Sequence, residues 1–249
     1  MRNKKRLLVI LTYHGLLRLA LASAFLFFIF VVFTQQLLSS ESWSSWRLPL
    51  SGRIIAIDPG HGGPDGGAVS KNGIVEKDIN LKISLYLRDY LQEAGAIVVM
   101  TREDDRDLAP PGSKRRKTAD LHKRAELINE SGADYFISIH MNAMVSGRWR
   151  GAQTFYDKNG GEQSRTLAYL IQDELIRNLG NTNRVAKTVP NIFLLKQAKM
   201  PAALVEAGFL SNPEEAVLLA DEQYQKKVAA AIYRGILRAA SGEKIPERL

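Results

Sequence analysis

The sequence predicts an α/β fold, a mostly parallel twisted sheet with helices on both faces, preceded by one N-terminal membrane-anchor helix. Two observations carry this prediction. From residue 53 onwards, short apolar runs alternate with longer amphipathic runs, as strands and helices do in a parallel sheet. Near the N-terminus, an uncharged apolar run follows a basic segment, which is the pattern of a membrane-targeting sequence.

The N-terminal apolar run extends from Leu19 to Phe33, and the basic segment MRNKKR (1–6) precedes it. Its length suits either a signal-peptide core or a short spanning helix. Because TQQLLSSESW, which follows, lacks a small-x-small cleavage pattern, we expect an uncleaved anchor, with a secreted form as the alternative. Trp43 and Trp46 are candidates for the far membrane interface. The basic residues would stay inside, so the rest of the chain is expected outside the cytoplasmic membrane.

These patterns divide the chain into four segments. We expect an anchor at 1–38, a linker at 39–52, a catalytic domain at 53–241 and a C-terminal tail at 242–249. The sequence shows no internal repeat.

The net charge of +8 does not indicate a nucleic-acid-binding protein. The first 35 residues hold five basic residues and no acidic one, so the rest of the chain carries only +3. We interpret the remaining basic cluster, SKRRK at 113–117, as a solvated loop, with docking to an anionic polymer or partner as the alternative. The chain has no cysteine, so any metal must be bound by nitrogen and oxygen ligands.

The elements of the predicted catalytic domain follow in order from residue 53. A buried strand, RIIAID at 53–58, leads into the glycine-rich segment DPGHGGPDGG at 58–67. An amphipathic helix at 78–95 follows and ends at Gly95, a C-cap residue. The remaining predicted elements are a strand at 96–102, a helix at 119–130, strands at 134–140 and 152–157, a helix at 162–179, strands at 192–196 and 201–209, a short helix opened by Asn212 and Pro213, and a helix at 223–240.

Polar residues interrupt or follow three of the predicted strands. His61 follows the first strand, His140 ends DYFISIH, and Glu206 lies within LVEAGF. Because ligands of open α/β sheets gather at the carboxyl ends of strands, we expect these side chains to lie close together. Glu76, in the predicted loop GIVEKD, is a fourth candidate.

These four residues suit zinc chemistry. Two imidazoles, His61 and His140, and the carboxylate of Glu76 can bind Zn²⁺ and leave a fourth position for water, whose pKa such a metal lowers to near 7. Glu206 would then act as general base on the water and as acid towards the leaving nitrogen.

The composition of DPGHGGPDGG fits such a role for its histidine. Glycine permits backbone conformations that other residues avoid and a close approach to metal and substrate, while Asp58 and Pro59 fix the turn that aims His61. We assign no site role to His14, in the anchor, or to His122, on a charged helix.

Four motifs resemble those of the zinc-dependent N-acetylmuramoyl-L-alanine amidases of bacterial cell-wall metabolism. They are DPGHGG with His61, GIVEKDINL with Glu76, SIHMNA with His140 and MPAALVEAGFLSNPEE with Glu206, in the family's order between about residues 54 and 239. The resemblance implies that the first three bind Zn²⁺ and that Glu206 is the catalytic glutamate. We also name Asn142, in the third motif, as a candidate substrate-binding residue.

Within that family, the chain resembles the germination-specific amidases of endospore formers. The single anchor and the segments TREDDRDL and GAQTFYDKNGGEQSRTLA carry this resemblance. It implies removal of the peptide from muramic acid in spore-cortex peptidoglycan, the first step to muramic δ-lactam, in the extracytoplasmic space around the forespore, with an activating lipoprotein partner in some organisms. A different zinc amide hydrolase, such as a carboxypeptidase or deacetylase, and a non-catalytic anchored glycan-binding module are the alternatives.

Overall fold

The computed structural model describes residues 13–38 and 48–245, which belong to two compact units. The first contains helix α1 (Tyr13–Leu38), which by length and composition is the one helix among these residues able to cross a membrane. The basic segment at 1–6, Trp43, Trp46 and the last four residues of the predicted tail lie outside the described ranges.

The second unit begins at Leu48 and is built on a six-stranded sheet. Its strands are β1 (Ile54–Pro59), β2 (Ile97–Met100), β3 (Tyr135–Asn142), β4 (Gln153–Tyr156), β5 (Lys187–Thr188) and β6 (Ala202–Phe209). The order across the sheet is β2-β1-β3-β6-β4-β5, and every neighbouring pair is parallel except β6 and β4. The predicted mostly parallel sheet is therefore confirmed, with β4 and β5 running against the other strands.

Helices cover both faces of this sheet, as predicted. They are α2 (Glu76–Glu93), α3 (Arg116–Glu130), α4 (Gly161–Leu179), α5 (Phe193–Gln197), α6 (Pro213–Ala220) and α7 (Glu222–Ala240). The larger apolar core includes Ile83 of α2, Ile171 of α4 and Ile232 of α7. The smaller core joins the other face, at Phe136, to α3 and to α5 at Leu195. Alternate strand residues point to opposite faces, which supplies both cores.

Two predicted helix ends are confirmed by their local geometry. The side chain of Asn212 accepts hydrogen bonds from the backbone nitrogens of Glu214 and Glu215, and Pro213 occupies the first turn of α6. Gly95 follows α2 with a φ of 91°, the left-handed conformation that glycine adopts at helix C-termini.

The prediction of a strand at 192–196 is wrong, because IFLLK lies largely in helix α5. The run is short and almost wholly apolar, and periodicity cannot distinguish a buried strand from a buried helix turn over so few residues. Leu194 and Leu195 are buried in the core that α5 shares with α3.

Two helices also begin earlier than predicted. Helix α2 starts at Glu76, which is therefore helical rather than in a loop. An acidic residue in the first turn stabilises a helix through its interaction with the helix dipole. Helix α3 starts at Arg116, so the basic cluster at 113–117 is partly helical. Both differences bring a charged residue onto a rigid element.

Candidate metal centre

The carboxyl ends of β1, β3 and β6 meet at one edge of the sheet and carry the predicted site residues. The strand pairing places Asp58 opposite Ser138 and His140 opposite Glu206. His61 and His140, together with Glu206, line a cavity of about 380 Å³ at this edge. Parallel pairing therefore brings together residues that are far apart in the sequence.

The three side chains predicted as metal ligands converge. The Nε2 atom of His61 and the Nδ1 atom of His140 each lie 3.1 Å from Oε1 of Glu76. One ligand atom from each residue lies within 4.8 Å of the other two. In a tetrahedral zinc site with bonds of about 2.0 to 2.1 Å, ligand atoms lie about 3.3 Å apart. The donor types and their spacing therefore fit a metal ion of this kind.

The glycine-rich segment holds His61 in a left-handed backbone conformation, with a φ of 63°. This conformation is strained for a residue with a side chain. Neighbouring glycines pass close to the other two ligands. A Cβ atom on Gly60 would lie 2.2 Å from Cε1 of His140, and one on Gly67 would lie 2.5 Å from Oε2 of Glu76. Glycine is thus required where the segment crosses the ligand side chains.

Two further polar residues orient the ligands. Oδ2 of Asp65 lies 3.0 Å from Nδ1 of His61, the ring nitrogen that is not directed at Glu76. Asn80 lies one turn after Glu76 on α2 and donates its Nδ2 hydrogens to Oε1 of Glu76 and to the carbonyl of Gly60. Such partners fix the orientation of metal-binding side chains. Neither Asp65 nor Asn80 is among the residues predicted from the sequence, although the i,i+4 spacing of Asn80 from Glu76 is a usable signal.

A buried arginine on α3 supports the same segment. Arg124 forms an ion pair with Asp58, with 2.7 Å between Nη1 and Oδ1, and both side chains are almost fully buried. Its guanidinium also donates to the carbonyls of Pro59 and His61. Asp58 therefore acts through this ion pair as well as through the predicted turn. Arg124 is not among the residues predicted from the sequence, and its signal there is a charged residue on the buried stripe of α3.

A second buried arginine, Arg102, follows β2, and its guanidinium binds backbone carbonyls of the glycine-rich segment. It donates to the carbonyls of Pro59 and Gly60 and to that of Lys77 on α2. The segment and the helix that carries Glu76 are thus held by one guanidinium.

The two site carboxylates differ in their electrostatics. Burial opposes the ionisation of Glu76, but hydrogen bonds to His140 and His61 outweigh it and hold the pKa of Glu76 well below its usual range. Burial raises the pKa of Glu206 to about 7, the charge of Glu76 adds to this effect, and the two histidines oppose it. Glu76 is thus ionised, as a ligand must be, whereas Glu206 can accept and release a proton near neutral pH.

Glu206 also has an oxygen available for a ligand. Within the described part of the chain, its Oε2 atom is buried without a hydrogen-bond partner. Buried polar atoms are normally paired, so an unpaired one beside a cavity indicates a group that meets a bound molecule.

Three other residues considered in the sequence, Asn142, His122 and His14, do not belong to the group of candidate metal ligands. Asn142 ends β3 after an irregularity in the pairing with β6, and its carbonyl accepts from the backbone nitrogen of Leu210. It is not among the residues that line the cavity. The ring of His122 packs edge-on against Phe193, with 4.8 Å between centroids, and His14 lies on α1.

An α/β sheet that gathers two imidazoles, an ionised carboxylate and a protonatable carboxyl at one edge belongs to the class of metal-dependent hydrolases. Comparison with known proteins gives the family. The family model described as N-acetylmuramoyl-L-alanine amidase matches residues 55–238, and the chain belongs to this family. The resemblance inferred from the four motifs is confirmed.

Several relatives are similar over most of the chain. The germination-specific N-acetylmuramoyl-L-alanine amidase of Bacillus subtilis is 54% identical over 210 residues, which cover 83% of this chain and 88% of that protein. The amidase LytC of the same organism is 35% identical over 79% of this chain and 37% of its own length. The CwlD amidase of Clostridioides difficile, solved in complex with the GerS lipoprotein, superposes with a TM-score of 0.75 at 43% identity, covering 77% of this chain and all of that one.

Proposed function

We propose that this protein is a zinc-dependent, membrane-anchored amidase that separates the stem peptide from muramic acid in spore-cortex peptidoglycan. The observation that carries the proposal is the convergence of His61, Glu76 and His140 beside the unpaired carboxyl of Glu206. All four residues lie in motifs of the amidase family, and the family match disfavours the carboxypeptidase and deacetylase alternatives. The presence of the complete set likewise disfavours a non-catalytic glycan-binding module.

The reaction replaces one bond with another at the lactyl carbonyl carbon. His61, Glu76 and His140 hold the metal, which when bound polarises the amide and activates water. Glu206 takes a proton from the attacking water as the new C–O bond forms. It then delivers the proton to the nitrogen of L-alanine as the C–N bond breaks. The products are a lactyl carboxylate and a peptide with a free amino terminus.

Hydrogen bonds from neighbouring residues orient the side chains proposed to bind the metal. Asp65 accepts from Nδ1 of His61, which leaves Nε2 free to bind metal. The backbone nitrogen of Met141 and the side chain of Asn80 donate to Glu76 and keep its carboxylate in place. Asn142 remains a proposed substrate contact, because it lies two residues beyond His140.

The cortex role and its setting rest on the relatives and on α1. The 54% identical Bacillus subtilis protein is a germination-specific amidase, and the Clostridioides difficile neighbour was solved with a lipoprotein. We therefore propose an activating lipoprotein partner for this chain also. We propose an uncleaved anchor at 1–38, which contains α1, and a linker at 39–52. The catalytic domain at 53–241 and its tail would then lie in the extracytoplasmic space around the forespore.

The test uses the full-length protein in detergent with purified cortex peptidoglycan, analysed by mass spectrometry. We expect peptides that begin with L-alanine and muramic acids with a free lactyl carboxyl. A zinc chelator should abolish the products and added Zn²⁺ should restore them, while Glu206→Gln serves as the inactive control. Peptides shortened at the carboxyl end, or glycan that has lost acetyl groups, would contradict the proposed bond.

A further inference from the structure

The cavity beside Glu206 contains a flexible cationic side chain that the proposed reaction does not use. Lys117 and Arg124 are the two Lys or Arg residues among the described residues that line it. Arg124 is not available to a ligand, because its side chain is 2% exposed and its guanidinium donates to Asp58, Asp120 and backbone carbonyls. The Lys117 side chain is 67% exposed.

The Lys117 ammonium pairs with Asp65, the residue that also contacts His61. Its Nζ atom lies 3.1 Å from Oδ2 of Asp65, and the same oxygen lies 3.0 Å from Nδ1 of His61. The ammonium therefore lies within about 6 Å of that imidazole nitrogen. Its neighbour Arg116 binds Asp107 through two hydrogen bonds, at 2.6 and 2.7 Å, which anchors the first turn of α3.

The structure divides the basic cluster at 113–117 into parts with different surroundings. Arg116 is held by Asp107, whereas Lys117 faces the cavity. Lys114 and Arg115 are exposed, and within the described ranges neither has a side-chain partner. One residue of the cluster is thus placed at the site by its helix, and the others are not.

The other residues that line the cavity indicate which kind of chemical group Lys117 would bind. Leu121, Ile192 and Phe193 form an apolar side, and Glu206 and Asp65 are acidic. A second anion in this space needs a cation, and Lys117 has three ammonium hydrogens, of which Asp65 uses one. Lys117 can therefore bind a further carboxylate without leaving Asp65.

The proposed substrate has a carboxylate close to the bond that is cut. The stem peptide of peptidoglycan carries a free carboxylate on the acidic residue that follows L-alanine. An extended chain advances about 3.3 to 3.6 Å per residue, so this group lies roughly 7 Å from the scissile carbonyl. Lys117 lines the same cavity as Glu206, so a peptide whose scissile amide lies beside Glu206 can extend towards the Lys117 ammonium.

We propose that Lys117 binds the carboxylate of the residue following L-alanine, and that this contact selects acidic stem peptides over amidated ones. The inference rests on the proposed function and adds a specificity-determining residue to it. The contact is present equally in the bound substrate and in the transition state, so its loss should raise KM more than it lowers kcat.

The experiment compares two cortex-type glycan substrates that are identical except at that residue, one with a free carboxylate and one with a carboxamide. The full-length enzyme should have a kcat/KM about tenfold higher on the carboxylate substrate, the effect of one partly exposed charged hydrogen bond. Lys117→Met should lose this preference through a higher KM on the carboxylate substrate, and Lys117→Arg should keep most of it. Lys114→Met is the matched control and should behave as wild type.

Zinc affinity, measured by chelator competition, separates the substrate role from an effect on the ligands. We expect Lys117→Met to bind zinc as wild type does. The proposal is overturned if Lys117→Met keeps the wild-type preference, or if both substrates slow equally while zinc affinity falls, since Lys117 would then act through Asp65 and His61. If wild type cleaves both substrates equally, only this inference fails, whereas no cleavage of the muramoyl amide in either substrate removes the proposed function as well.

Discussion

Nη1 of Arg124 lies 2.7 Å from Oδ1 of Asp58, and the arginine of this buried ion pair also donates to backbone carbonyls of the segment that carries His61. Arg124 belongs to a helix and Asp58 to the end of a strand, so the pair ties α3 to the sheet directly beside the candidate metal centre. Removing Arg124 would leave Asp58 as a buried carboxylate without its cation. The pair therefore links the stability of the fold to the geometry of the site.

The first prediction concerns this ion pair. Arg124→Met should lower the free energy of unfolding by about 3 to 5 kcal/mol, because Asp58 is left buried without its cation. Urea unfolding followed by circular dichroism measures the change. Arg115→Met, at an exposed position nine residues earlier, should change it by no more than about 0.5 kcal/mol. Equal losses in the two variants would show that the pair is not the cause.

The second prediction concerns acid stability. Burial opposes the ionisation of Asp58, but Arg124 and Thr101 outweigh it and hold its pKa below the usual value. A carboxylate with a lowered folded pKa contributes stability above its unfolded pKa of about 3.9, and loses that contribution as the pH falls through the folded value. The stability gap between wild type and Asp58→Asn should therefore be constant from pH 7 to about pH 5 and shrink below about pH 4.

Thermal unfolding at several pH values measures this gap. Asp89→Asn, which removes an exposed pair with Arg88, is the control and should show little gap at any pH. A gap for Asp58→Asn that widens in acid would contradict the sign of the effect.

The third prediction separates the two glutamates. Glu206→Gln should bind zinc and peptidoglycan as wild type does, while its turnover falls by about 10²- to 10⁴-fold, the usual contribution of a positioned general base. Glu76→Gln should lose zinc affinity first, so that added Zn²⁺ partly restores its activity. Metal content after dialysis and turnover on peptidoglycan are the two measurements. A metal-free Glu206→Gln variant would mean that the roles must be exchanged.

The fourth prediction concerns the approach of the backbone to His140. Gly60→Ala would place a Cβ atom 2.2 Å from the ring, so the histidine or the segment must move and zinc affinity should fall by about 10- to 100-fold. Gly112→Ala is the control, because that glycine has a φ of 77° but nothing within 4 Å. The control should cost about 1 kcal/mol of stability from backbone strain and leave zinc affinity unchanged. Similar zinc affinities in the two variants would refute the steric explanation.

Five of the six strands in the described sheet, and the convergence of the motif residues, were predictable because their signals are local. Strand β5 (Lys187–Thr188) has only two residues and was not predicted. RIIAID and DYFISIH are apolar runs with a polar residue at the end, and the rule for parallel sheets then places His61 and His140 at one edge. The supporting contacts were not predictable in this way. Arg124 meets Asp58 across 66 positions, and Lys117 meets Asp65 only because α3 is packed beside the glycine-rich segment.

The errors in secondary structure have a related cause. The five residues of IFLLK fit the period of a strand as well as that of a helix, and packing against α3 determines that they form a helix. The antiparallel direction of β4 is set by its pairing with β6. Nothing in the segment AQTFYD indicates that pairing.

The left-handed conformation of His61 has a consequence for which ions the site can accept. Its strain, on the order of 1 to 2 kcal/mol, is offset by the contacts of Arg124 and Asp65, which hold His61 towards Glu76 and His140. A triangle of two nitrogen atoms and one carboxylate oxygen, with ligand atoms within 4.8 Å of one another, suits a small ion with few ligands. Calcium requires six to eight oxygen ligands at about 2.3 to 2.6 Å and would have to spread the triangle against the arginine and the glycine-rich backbone. The backbone around His61 therefore disfavours a large ion such as calcium at this site.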